Sequence, residues 1–122
     1  MSGAMARDSA SPIYKICPET LWRAAEEAGV FTGAPVDLAD GFIHFSTAGQ
    51  LRETAARHFA GQDGLLLIAV DGARLGDALR YEPSRGGALF PHLYAPLDPR
   101  AVRWVMPLPR VGEAHLFPED IP

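Results

Sequence analysis

Two short segments gather the side chains best able to do chemistry, Asp40-Gly41-Phe42-Ile43-His44-Phe45-Ser46-Thr47 and Phe90-Pro91-His92-Leu93-Tyr94. Imidazole is the one side chain whose unperturbed titration falls near neutral pH, so His44 and His92 are the candidate acid and base. His44 lies in an alternating stretch, with Phe42 and Ser46 on its own face and Ile43 and Phe45 on the other. Ser46 and Thr47 stand just before a helix start, so an imidazole, hydroxyls and exposed amides together suit a ribose or a phosphate. The same letters also read as a core histidine bonded to backbone, with Ser46 and Thr47 simply capping the helix.

His92 and Tyr94 share a strand face shortly after Ser84-Arg85-Gly86-Gly87. Such a glycine segment is either a hinge for a loop closing over a pocket or a plain hairpin turn that leaves His92 half exposed. Tyr81 and Glu82 precede it. Glu82 is a candidate general base or ribose ligand, and equally a solvated carboxylate. Lys15, on an early strand, offers a fixed positive charge to a pyrophosphate, although a strand lysine more often points to water. The catalytic candidates are therefore His44, His92 and Glu82, and the ligand-binding candidates are Lys15, Ser46, Thr47, Tyr81 and Tyr94.

Other chemistries find less support. The histidines, His44, His58, His92 and His115, show neither HxH nor HxxxH spacing, and Cys17 is the only cysteine. No metal ligand is assigned, and a metal-dependent hydrolase ranks third, since it needs distant histidines to converge. Cys17 has no evident neighbouring base to activate it as a nucleophile. GxGxxG and GxxxxGK[ST] are both absent, which removes the two commonest nucleotide-binding signatures.

These residues must be positioned by a small scaffold. The chain has 122 residues, 48% of them hydrophobic and 21% charged, which is ordinary globular composition. Residues 1–11 read as a flexible tail and residues 12–122 as a single α+β domain. Pro12 to Cys17 is expected as a strand, with Ile13 and Lys15 on one face and Tyr14 and Ile16 on the other. Pro18, Glu19 and Gly29 bracket a helix with the stripe Leu21, Ala25 and Ala28, flanked by Trp22 and Ala24. Gly33 to Asp40 reads as a loop and Gly41 to Ser46 as a strand. Thr47 with Gln50 forms a capping-box pattern that opens a helix to about Ala60, burying Leu51, Ala55 and Phe59 along with Ala48. Leu65 to Val70 is a continuous apolar run and the expected central strand. Leu79–Glu82, Leu89–Tyr94 and Ala101–Leu108 are further strands. Helices early and strands late, without regular βαβ alternation, indicate α+β.

A net charge of −4 and scattered arginines argue against broad nucleic-acid binding. No run of 18 apolar residues occurs, so no membrane span is expected, and one unpaired cysteine with no leader-like start suits the reducing cytoplasm.

The segment from Ile13 to about Pro109 resembles a bacterial family known as domain of unknown function 952. The landmarks are Tyr14-Lys15-Ile16, Trp22, the stretch Asp40 to Thr47, and Phe90 to Tyr94. That family is similar at fold level to the ADP-ribosyltransferases. The resemblance implies small mixed or antiparallel sheets packed at an angle, two main helices, and an NAD-holding cleft between the sheets. It also implies site positions: Lys15 on the first strand, His44 with Ser46 on the strand entering a helix, and His92 or Glu82 late. The ligand implied is NAD, ADP-ribose or a similar nucleotide in a His-lined cleft. No cofactor is identified by the residues themselves. A non-catalytic binding or interaction module is the alternative. Neither the residues nor the resemblance sets the oligomeric state.

Overall fold

The computed structural model describes residues 12–118 and residue 121; the tail expected over residues 1–11 lies outside the described residues. In chain order the elements are β1 (Ile13–Pro18), α1 (Glu19–Ala28), α2 (Pro35–Asp40), β2 (Ile43–His44), α3 (Leu51–His58), β3 (Leu65–Val70), β4 (Leu79–Ser84), β5 (Ala88–Leu93), β6 (Val102–Leu108), β7 (Arg110–Val111) and β8 (Ala114–His115). They build an α+β architecture in which every paired strand among the described residues is antiparallel, with sheets ordered β1-β3-β6 and β2-β5-β4 and a small β7-β8 hairpin.

β3 is the central strand of the first sheet and is buried along its whole length. Leu66, Ile68 and Val70 join Ile13 and Cys17 on one face, packed against Trp22, Ala25 and Phe31 and against Ile43, Phe45 and Leu93 from the second sheet's side. Leu65, Leu67 and Ala69 join Tyr14 and Ile16 on the other face, covered by Leu51 and Ala55 of α3. A strand covered on both faces needs apolar side chains at every position, which is why this segment shows no alternation.

α1 begins directly after Pro18, carries Glu19 in its first turn, and ends at Gly29 in the left-handed conformation. Its buried face is turned from the expected stripe. Trp22 and Ala25 are buried and Leu21 is half-buried, while Ala24 and Ala28 face solvent. The indole carries far more apolar area than an alanine, so it dictates which side of the helix faces the core.

The stretch from Gly33 to Asp40, expected as a loop, contains α2. Pro35 suits its first turn, and Gly41, at φ 88°, closes it. The hydrophobic pattern misleads because Val36 and Leu38 are exposed and the buried residue is Asp37. The chain approaches itself closely here. A side chain on Gly33, at φ 127°, would meet the Asp37 Cβ at 2.8 Å.

β2 pairs for only two residues, but the alternation continues beyond it. Ile43 and Phe45 are buried, and the Phe45 amide donates to the Pro91 carbonyl at 3.0 Å. Ser46 and Tyr14 then exchange two backbone hydrogen bonds of 2.8 Å, which ties the edge of β1 to the segment leaving the second sheet. The Gln50 side-chain carbonyl accepts from the Thr47 amide at 3.0 Å, the contact expected of a capping box. Ala48–Gln50 forms a 3₁₀ turn before α3, which ends at His58, two residues before the expected Ala60. The glycine segment joins β4 to β5 as a hairpin whose ladder runs out to Ser84 and Ala88. This is the turn reading rather than the lid. Among the described residues no helix is long and apolar enough to cross a membrane.

Candidate functional site

His44 and His92 face each other across the β2–β5 ladder. Directly opposed strand residues project to the same face, and the two rings lie 5.5 Å apart between centroids. Phe42 stands two residues before His44 on that same face. Its ring stacks on His92 at 4.1 Å and touches His44 at 4.6 Å and Tyr94 at 5.2 Å. An apolar wedge therefore holds both imidazoles in place.

His92 is only 6% exposed. Its Nδ1 lies 2.8 Å from Glu82 Oε1, and the Tyr94 hydroxyl donates to the same oxygen at 2.7 Å. Hydrogen bonds from Tyr94 and His92 hold the Glu82 carboxyl below its usual range, so it is an ionised acceptor at neutral pH. Nδ1 is then the donor of that bond. Nε2 has no hydrogen-bonding partner among the described residues. His92 is thus buried, and not half exposed as the hairpin reading has it.

The surroundings of His44 differ. Its Nδ1 is 2.6 Å from Asp37 Oδ1, and its Nε2 is 2.9 Å from Asp40 Oδ2. Its backbone amide also donates to Asp37 Oδ1 at 3.1 Å, and the Ala34 amide donates to Asp37 Oδ2 at 2.7 Å. Lys15 completes the cluster from β1. Its ammonium reaches Asp37 Oδ1 at 3.0 Å, Asp37 Oδ2 at 2.9 Å and the His44 carbonyl at 2.9 Å. Lys15 therefore does not point to water; it is 6% exposed, and Asp37 is 2% exposed.

Burial pushes the Asp37 carboxyl up, but His44, the Lys15 charge and the Ala34 amide outweigh it and bring the group down to about 2. Burial pulls the Lys15 ammonium below its usual value, and Asp37 opposes that pull. Because the folded-state value of Asp37 lies below the unfolded one, its contribution is complete above about pH 4 and disappears as pH falls through about 2. We expect about 2 kcal/mol of stability to be lost across that window. Urea unfolding at a series of acidic pH values checks this, and an Asp37→Asn variant should flatten that part of the profile.

The face bearing both histidines opens into a cleft of about 490 Å³ that also reaches β1 and α3. Of the expected site residues, Lys15, His44, Ser46 and His92 line it, joined by Asp40, Thr54 and His58. Ser46 and Thr54 share a 2.9 Å hydroxyl hydrogen bond. Glu82 and Tyr94 do not line the cleft; Glu82 accepts from His92 Nδ1, and the Tyr94 hydroxyl donates to Glu82. Thr47 is taken up in starting the helix and Tyr81 is half exposed, and neither lines the cleft. Adjacent strand residues point to opposite faces, so Tyr81 is turned away from the face that carries Glu82.

Asp37, Asp40, Phe42, Thr54 and His58 are not singled out as site residues by sequence reasoning. Phe42 is legible as a face-mate of His44. Asp40 falls within the segment that carries His44 without being chosen from it, and Asp37 leaves no signal, because a carboxylate in an apparent loop looks like any solvated one. Among the described residues no three His, Cys, Asp or Glu side chains converge as a metal site requires. Cys17 is buried, and burial pushes its thiol up to about 11, which disarms it as a nucleophile near neutral pH.

Solved structures of a Caulobacter crescentus protein share this fold and much of this sequence. The crystal structure of protein CC0527 is 47% identical, superposes with a TM-score of 0.84, and matches 87% of this chain and 94% of that one. The solution NMR structure of the same protein is 48% identical at a TM-score of 0.76, over 85% and 90% of the two chains. A crystallised double mutant of it is 45% identical with a TM-score of 0.83, over 87% and 94%. No curated protein matches. Residues 16–105 match the family described as "Protein of unknown function (DUF952)", a span that contains Trp22, Asp37, His44 and His92. On that match the chain belongs to the DUF952 family.

Proposed function

We propose that this chain binds a nucleotide-like small molecule in the His-lined cleft, with NAD and ADP-ribose the compounds suggested by the resemblance to ADP-ribosyltransferases in fold. The observation that carries this reading is the convergence of His44 and His92, from distant parts of the sequence, at one cleft of about 490 Å³. That volume is within the range of small-molecule sites, and apolar walls with a few directed polar groups are their usual make-up. In a catalytic version, His92 Nε2 is the proton acceptor, with Glu82 and Tyr94 as its positioning residues. A cytoplasmic setting accords with the single unpaired cysteine.

Calorimetry or ligand-observed NMR with NAD, ADP-ribose and simple phosphoesters tests the reading. We expect saturable binding by at least one, weakened at least tenfold in His92→Ala. Absence of binding by all of them at millimolar concentration would count decisively against it. The non-catalytic version draws on one observation: both ring nitrogens of His44 are already engaged by carboxylates, which leaves it no nitrogen for proton transfer. It predicts ligand binding that His44→Ala reduces, with turnover at background in both proteins.

A further inference from the structure

Resting on that reading, we propose that the cleft selects the uncharged nucleoside part of its ligand, a planar base with ribose hydroxyls, and that Asp40 disfavours phosphate inside it. The donors and acceptors at the cleft carry the argument. Lys15, the residue best suited by type to hold a pyrophosphate, is 6% exposed, and its ammonium donates inward to Asp37 Oδ1 and the His44 carbonyl while pairing with Asp37 Oδ2. Among the described side chains that line the cleft none is an arginine.

Beside the hydroxyls of Ser46, Thr54 and Ser84, the cleft carries two acceptors. His92 Nε2, on a side chain 7% exposed, has no hydrogen-bonding partner among the described residues, and in the neutral ring with Nδ1 donating to Glu82 it is an acceptor. Asp40 lines the cleft with its carboxylate about half exposed, and only Oδ2 is occupied, by His44. Its Oδ1 has no partner among the described residues. Acceptors call for donors. Ribose hydroxyls supply them, whereas ionised phosphate oxygens accept only and would meet the Asp40 charge at close range. The apolar surfaces of Tyr14, Phe45, Phe59 and Phe90 in the same cleft suit a planar base. A dinucleotide can still bind, with its pyrophosphate directed out to solvent.

A calorimetric series of adenosine, inosine, NAD, ADP-ribose and inorganic pyrophosphate, run on the unmodified protein and on Asp40→Asn, tests the proposal. We expect a nucleoside to bind within about threefold of the dinucleotide, with no competition from pyrophosphate. Asp40→Asn should weaken the nucleoside about tenfold, the size of a lost charge-assisted hydrogen bond, and should narrow discrimination against pyrophosphate. Tighter binding of NAD or ADP-ribose by tenfold or more, with pyrophosphate competing, overturns this proposal and leaves the nucleotide-binding reading standing. Silence from the whole series overturns both. Should the variant fail to fold, the ligand series on the unmodified protein decides alone.

Discussion

Asp37→Ala should destabilise the protein by about 3–5 kcal/mol, the usual effect of removing one partner from a buried ion pair. Asp37 accepts from Lys15, from the His44 ring and amide, and from the Ala34 amide. Its loss leaves the Lys15 ammonium buried with the His44 carbonyl as its remaining hydrogen-bonding partner among the described residues. The charge, not the missing volume, dominates the cost. Adding Lys15→Met to the variant should therefore restore much of the stability, because an apolar replacement for both partners is often close to neutral. The double variant should nevertheless stay defective in ligand binding, since His44 has lost its anchor. Urea titrations of the single and double variants separate the two effects. A single variant within about 1 kcal/mol of the parent, or a double variant no better than the single, would show that the ion pair does not govern this region.

Trp22→Ala should cost about 3–5 kcal/mol as well, by a different route. Trp22 is 1% exposed, its ring lies 5.5 Å from that of Phe31, and its indole N–H donates to Glu26 at 2.9 Å. Truncation removes the largest side chain that α1 contributes to the core and leaves a cavity its neighbours cannot fill. Phe31 in turn exchanges backbone hydrogen bonds of 2.9 Å with Leu97, which anchors the chain just before α2 and Asp37. Thermal unfolding should shift by on the order of 10–20 °C. Amide exchange at residues 34–40 should accelerate more than at β3, because the support lost is on the α2 side. Uniform acceleration would mean that Trp22 stabilises the whole without steering the site.

Both predictions concern residues whose importance is unevenly visible in the chain. Trp22 falls in the first helix of the sequence reading, but as a flank of its apolar stripe rather than the centre. Asp37 is invisible there. Its segment carries exposed Val36 and Leu38 around a buried carboxylate, the reverse of the pattern from which a helix face is read. Lys15 is on the expected strand, and its ammonium is bonded within the fold to Asp37 and the His44 carbonyl. Glu82, a candidate base by type, is engaged by His92 Nδ1 and the Tyr94 hydroxyl.

What the letters alone determined is the α+β class, the buried central strand and the start of α3; they also offered His44 and His92 as candidates, which the ladder then sets opposite one another. Each rests on local chemistry: unbroken apolarity, a side-chain cap, residue types that titrate near neutral pH. Only the tertiary structure decided which polar groups are already satisfied. A hydrogen bond between Lys15 and Asp37, or between Glu82 and His92, joins positions whose separation along the chain leaves no periodic trace, so burial and partnership appear only once the strands are in register.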